Sequence, residues 1–123
     1  MNVINSRTHG VIDYLTGALL IIAPYIFGFA NGGIAQWLPM LLGAMIIVMS
    51  LITRYEFSVA KIIPLPTHLV VDILGGLLLA VSPWLFGFAD LIWWPHLLVG
   101  LFEIVVAVLT RRHADTIVAS DRL

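Results

Sequence analysis

The chain has 123 residues, 61% of them hydrophobic and 11% charged, with a formal net charge of −1 and no cysteine. A water-soluble domain carries roughly 25% charged residues, so this composition excludes an ordinary soluble surface, and a near-neutral balance without a basic patch excludes a nucleic-acid partner. Lack of cysteine removes disulfides, thiolate metal sites and cysteine redox chemistry.

In chain order, four apolar stretches fall at roughly 9–29, 37–54, 67–88 and 94–111, each close to the ~20 residues a helix needs to cross a bilayer. The first is too long for the apolar core of a cleavable signal, and no small-residue cleavage site follows it. "ANGG" after Phe29 is the first turn. Pro39 is expected in the first turn of the second span, where a missing N–H costs little. "YEFSVAKIIPLP" mixes charge with aromatic and aliphatic groups and suits an interfacial loop over about 55–66. Its two prolines end just before Thr67, where the third span is expected to start. Pro95 opens the fourth span, and residues 113–123 form a polar tail. The runs are continuous and not alternating, which favours helices over a barrel. A single integral membrane domain is expected over 1–123.

Arg7, Arg54, Lys61, Arg111, Arg112 and Arg122 all fall on one side of a four-span topology, whereas the loops around Asn31 and Asp90 hold no Lys or Arg. By the positive-inside rule both termini are expected in the cytoplasm, with the chain in the cell's inner membrane.

The chain is also an internal duplication. At an offset of 59, Thr8, His9, Val11, Asp13, Leu15, Gly17, Leu19, Leu20, Pro24, Phe27, Gly28, Phe29 and Ala30 fall on identical residues between Thr67 and Ala89. At an offset of 57, Trp37, Leu41, Gly43, Thr53 and Arg54 match Trp94, Leu98, Gly100, Thr110 and Arg111. The expected fold is therefore all-α. It is a four-transmembrane-helix bundle of two parallel tandem hairpins, about 8–54 and 67–111, related by a pseudo-two-fold along the membrane normal.

The tandem pattern "HxxxD…G…SPWLFGF" resembles the SPW-repeat family of small bacterial membrane proteins. Ser82-Pro83-Trp84 followed by Phe86-Gly87-Phe88 carries the motif. In the first copy Pro24 and Phe27-Gly28-Phe29 match, while Ala23 and Tyr25 stand where Ser and Trp are expected. The resemblance covers about residues 7–112 and implies a multi-pass membrane protein, with no particular activity.

Four spacing on a helix stacks His9 over Asp13 and His68 over Asp72. The same face continues through Gly17, Leu20 and Pro24, and through Gly76, Leu79 and Pro83, a narrow stripe expected to face the bundle interior. The simplest reading is architectural: Thr8 and Thr67 cap the helices, the acids favour the helix dipole, and the imidazoles bond a carboxylate or carbonyl. A sharper reading has the two pairs converge to hold a metal, a haem or a moving proton; a third has them meet lipid head groups or a partner.

Glu103 lies near the middle of the fourth span, opposite Ile46 in the repeat. A charged carboxylate there costs about 2.5–3.5 kcal/mol on insertion scales, so a protonated Glu103, hydrogen-bonded within the bundle or across an oligomer interface, is expected, on a face with His96, Gly100, Ala107 and Thr110. His96, Trp93, Trp94 and Trp37 are expected at the outer interface as part of an aromatic belt, and His113 in the basic stretch after the last helix. No Lys lies within a span, and CxxC, HExxH, P-loop and GxSxG motifs are missing, so an enzyme is not expected.

The expected function is thus non-enzymatic: a structural or accessory subunit, or a self-associating bundle, in contact with lipid and with no nucleotide. No cofactor and no metal is assigned. Two alternatives stand beside it, a small proton- or cation-linked transporter using Glu103 and a haem or metal redox module using His9 and His68.

Overall fold

The computed structural model describes residues 3–53 and 56–111. Among them are four helices and no extended strand: α1 (Ser6–Ile26), α2 (Ile34–Ile52), α3 (Leu65–Leu85) and α4 (Trp94–Leu109). Helices α1, α2 and α3 are long and apolar enough to cross a membrane, while α4 is shorter at 16 residues. At 1.5 Å per residue it spans about 24 Å, less than the ~30 Å hydrocarbon core. Arg54, Arg112, Arg122, His113 and the 113–123 tail lie outside the described residues.

Helices α1, α2 and α3 start two or three residues earlier than the hydropathy pattern predicts, while α4 starts at Trp94 as expected. Asn5, not Thr8, caps α1: its side-chain oxygen accepts from the Thr8 backbone N–H at 2.8 Å. Helix α3 follows Pro64 and carries Pro66 in its first turn, so Thr67 lies inside it and caps nothing. A proline is tolerated there because first-turn N–H groups have no intrahelical partner. Helix α2 begins after Gly33, which moves Pro39 from the first turn into the second. Pro39 then cannot donate to Ala35, and that carbonyl needs another partner.

The Phe-Gly-Phe repeats end α1 and α3, and they do so by one device. Gly28 and Gly87 each sit at φ +76, a left-handed conformation that costs glycine little. Just beyond them, the Phe29 N–H donates to the Pro24 carbonyl and the Phe88 N–H to the Pro83 carbonyl, both at 2.8 Å. This is the six-to-one bond of a Schellman motif, which turns the chain back and tucks its following apolar residue inward. Phe29 and Phe88 are buried accordingly. The turn also explains why α1 and α3 end at Ile26 and Leu85, short of the expected 29 and 88.

Each hairpin is a tight helix pair, α1 on α2 and α3 on α4. A β-carbon on Gly43 would lie 2.6 Å from the Gly17 carbonyl oxygen, and one on Gly100 would lie 2.5 Å from that of Gly76. Only glycine permits such backbone approach, which is how membrane helices gain dispersion contact without a hydrophobic driving force. Across the bundle, α1 and α3 face each other through their side chains. At one end, two short backbone bridges tie the copies in matching fashion, Ile4 with Thr110 and Thr53 with Ile63.

Candidate functional site

The stripe of His9, Asp13, Gly17, Leu20 and Pro24 is buried along α1, as is the matching stripe of His68, Asp72, Gly76, Leu79 and Pro83 along α3. Where the two stripes meet, the four polar side chains form one cluster. His9 Nε2 lies 2.9 Å from Asp13 Oδ2 and 3.0 Å from Asp72 Oδ2. His68 Nε2 lies 2.6 Å and 3.2 Å from the same two oxygens. His9, Asp13 and His68 are fully buried and Asp72 is 4% exposed. The pairs seen along each helix are thus also pairs between helices.

Two threonines set the imidazoles. Thr110 Oγ1 donates to the Val106 carbonyl and contacts His9 Nδ1 at 2.8 Å. Thr53 Oγ1 donates to the Met49 carbonyl and contacts His68 Nδ1 at 2.6 Å. A carbonyl only accepts, so the single hydroxyl proton goes to it, and the ring contact requires that Nδ1 carry the other proton. Assigned from this network, both rings have Nδ1–H directed at threonine and Nε2 directed at the carboxylates. The crossing is reciprocal: the first copy's histidine rests on the second copy's threonine, and vice versa. Thr53 and Thr110 were visible in the sequence as an offset match, but spacing alone did not link them to the histidines. Two further contacts in the sequence gave no signal: Ser6 donates to Glu56 at 2.7 Å, and the Tyr14 hydroxyl donates to the Phe57 carbonyl at 2.8 Å.

His96 stands apart from this cluster and is not part of an interfacial belt. It is 1% exposed, with its ring centroid 5.1 Å from Phe29 and 4.8 Å from Phe88. Its Nε2–H donates to the Ala35 carbonyl at 2.8 Å, the acceptor that Pro39 leaves without a helical donor. The repeat motif therefore divides by role. Pro24, Pro83, Phe29, Phe88 and Ser82 are buried, whereas Phe27, Trp84 and Phe86 are exposed. The exposed rings meet other aromatics on the same surface, Phe27 against Trp94 at 5.1 Å and Trp84 against Trp93 at 6.3 Å. Trp37, Trp93 and Trp94 are likewise exposed, as a lipid-facing belt requires. Ser82 Oγ donates to the Leu79 carbonyl at 2.7 Å, which Pro83 would otherwise leave unpaired.

Glu103 is 2% exposed, and neither of its carboxyl oxygens has a hydrogen-bond partner among the described residues. It shares the lining of a cavity of about 10 Å³ with Asp72, Gly76, Leu20 and Leu79. That is close to the space one water molecule needs.

A bundle of apolar helices, three of them long enough to cross a membrane, with its mid-helix polar groups gathered along a buried seam, defines a multi-pass helical membrane protein. The model of the SPW repeat domain matches residues 7–110, and the chain belongs to that family. No curated protein and no solved structure matches it.

Proposed function

We propose that this protein is a non-enzymatic component of the cell's inner membrane, with both termini cytoplasmic, acting as a structural or accessory subunit that assembles with copies of itself or with a larger membrane complex. The observation that carries the reading is the closure of the His9–Asp13–His68–Asp72 cluster. Its members are directed at one another, are at most 4% exposed and join one hairpin to the other, so no substrate reaches them without opening the bundle. Outside, Leu15, Tyr25, Leu41, Leu74, Leu85 and Leu98 present apolar surface for lipid or for neighbouring helices. The mass of the full chain in lipid nanodiscs, with affinity isolation from native membranes, tests this. A defined oligomer or a stoichiometric complex is expected; a monomer that brings down nothing above background overturns it.

A second reading has its own support, in Glu103. A buried carboxyl without a partner, beside a water-sized cavity that also touches Asp72, is a place to take up and release a proton. Liposomes holding the wild type should then leak protons or cations faster than liposomes holding Glu103→Gln; equal background rates remove the reading. The haem alternative does not fit. Both Nε2 atoms are directed onto the same two carboxylate oxygens, with ring centroids 5.6 Å apart and the rings edge-on, which leaves no slot for a porphyrin.

A further inference from the structure

We propose that His9, Asp13, His68 and Asp72 form a closed binding site for one divalent transition-metal ion, with zinc the best match, that staples the two hairpins together. The sequence leaves a metal as one alternative among several for the two His–Asp pairs; the juxtaposition of the two copies supplies the geometry for it.

The first argument is proton arithmetic. With Nδ1–H of each ring committed to Thr110 or Thr53, the cluster centre holds two Nε2 atoms and two carboxylate oxygens. These four atoms make four short contacts, from 2.6 to 3.2 Å. At most two Nε2–H groups exist to serve them, and carboxylates donate nothing. A cation in the middle satisfies all four atoms at once. In that state each imidazole is neutral and its bare Nε2 lone pair is the ligand, the tautomer that the threonines enforce. Metal-bound histidines generally have the other ring nitrogen fixed in this way.

The second argument is geometric. One donor atom from each residue can be chosen so that all four lie within 4.8 Å of one another. For bonds of about 2.0 Å, the edge of a tetrahedron of ligands is about 3.3 Å, so three of the nitrogen–oxygen edges need to open by at most about 0.4 Å and the His68–Asp13 edge, at 2.6 Å, by about 0.7 Å. Asp13 Oδ1, buried and without a hydrogen-bond partner among the described residues, is a fifth donor atom, carried by the same carboxylate as Asp13 Oδ2. The third argument is charge. Two neutral imidazoles, two carboxylates and a divalent cation sum to zero, which suits a site closed off from water. Imidazole and carboxylate donors without thiolate select among zinc, cobalt, nickel and copper rather than soft monovalent copper. Four protein ligands leave no open position, the mark of a structural and not a catalytic ion. In that respect the inference agrees with the non-enzymatic reading, although it does not depend on assembly.

The full chain, purified without a polyhistidine tag, stripped with chelator and held in nanodiscs, is titrated with Zn²⁺ and with Co²⁺ alone. One ion per chain is expected, with the intense visible bands of tetrahedral Co²⁺ and a rise in unfolding temperature. The isosteric double variant Asp13→Asn/Asp72→Asn should lose binding at least roughly 100-fold, and Thr53→Val should weaken it about 10–100-fold through the freed imidazole. His96→Gln should bind as the wild type does. A folded wild type that takes up neither ion overturns the proposal, as does a double variant that binds equally well, or a Co²⁺ spectrum of octahedral type. The wild-type titration stands by itself should the double variant fail to fold. An oligomer without metal would sink this inference and spare the assembly reading; a metal-loaded monomer would do the reverse.

Discussion

The two hairpins are identical at the polar end of the seam where they meet and different further along it. On the shared seam His9 and Asp13 answer His68 and Asp72, Thr110 answers Thr53, and Ile4 answers Ile63. A position on a two-fold axis needs both copies, so a change in one breaks a contact made by the other. Beyond this polar cluster the copies part. Ile46 in the first hairpin stands against Glu103 in the second, Pro39 against His96, and Ala23 against Ser82. The first hairpin is thus the plainer one, and the second carries the extra polar groups. Symmetry marks the His–Asp joint, and asymmetry marks contacts that only one copy supplies, such as His96 to the Ala35 carbonyl.

The largest effects should come from the joint, and should be equal in either copy. Asp13→Ala and Asp72→Ala each leave the two buried imidazoles sharing a single carboxylate, and breaking a buried ionic network by removing one partner costs about 3–5 kcal/mol. Unfolding in mixed micelles, followed by helical circular dichroism, should show both losses in that range. A variant that costs nothing in one copy and unfolds the other would end the two-fold picture. Next come the glycine contacts. Gly100→Ala sets a methyl 2.5 Å from the Gly76 oxygen and 2.6 Å from the Ala80 nitrogen, all backbone, so the helices must separate. Overpacking of this kind costs about 1–3 kcal/mol. Gly75→Ala, whose methyl would lie 3.6 Å from the flexible end of Met45, is the control and should change stability little.

Much of this was legible beforehand, for reasons that the misses make plain. Hydropathy runs give helices in a lipid solvent because backbone groups there must bond within the segment, and the offset matches of His9, Asp13 and Gly17 gave the hairpin repeat. The stripe from His9 to Pro24 gave the buried face, since helical period alone decides it. Helix starts were less legible. Hydropathy does not register Asn5 or Pro64, whose effects on the first turn are local and polar. His96 was misplaced because its partner is a carbonyl freed by Pro39, and neither the helix boundary nor the facing helix could be read from spacing. Thr53 and Thr110 matched by offset, but their pairing with histidines of the opposite copy is a fact of packing.

A smaller effect should come from making the second hairpin resemble the first. Glu103→Ile installs the residue that occupies the equivalent place, Ile46, which is buried at 6% exposure. It removes a carboxyl whose two oxygens have no partner among the described residues, and an unpaired buried polar group costs about 1–3 kcal/mol in proteins. The variant should be more stable by up to that amount in the same micelle assay. A loss of stability would mean that Glu103 has a partner, in lipid or in a neighbouring chain, that the isolated bundle does not contain.

The smallest effect, and the finest comparison, concerns the serine of the repeat motif. Both copies place a proline near the end of their first helix, and each proline withholds a hydrogen bond from the carbonyl four residues before it, Leu20 in the first copy and Leu79 in the second. In the second, the Ser82 hydroxyl donates to the Leu79 carbonyl at 2.7 Å. In the first, Ala23 has nothing to donate. Ser82→Ala should cost about 1 kcal/mol, the net worth of one buried hydrogen bond. Ala23→Ser should recover a similar amount, because Ala23 is 3% exposed and its neighbour Pro24 is buried as Pro83 is. Thermal unfolding of the two variants and of their combination tests the exchange. If the combination returns to the wild-type midpoint, the hydroxyl acts on its local carbonyl alone. If Ser82→Ala stays costly whatever stands at position 23, the serine instead holds the second hairpin's turn against His96 and Phe88, and the two copies differ in kind at this end of the bundle.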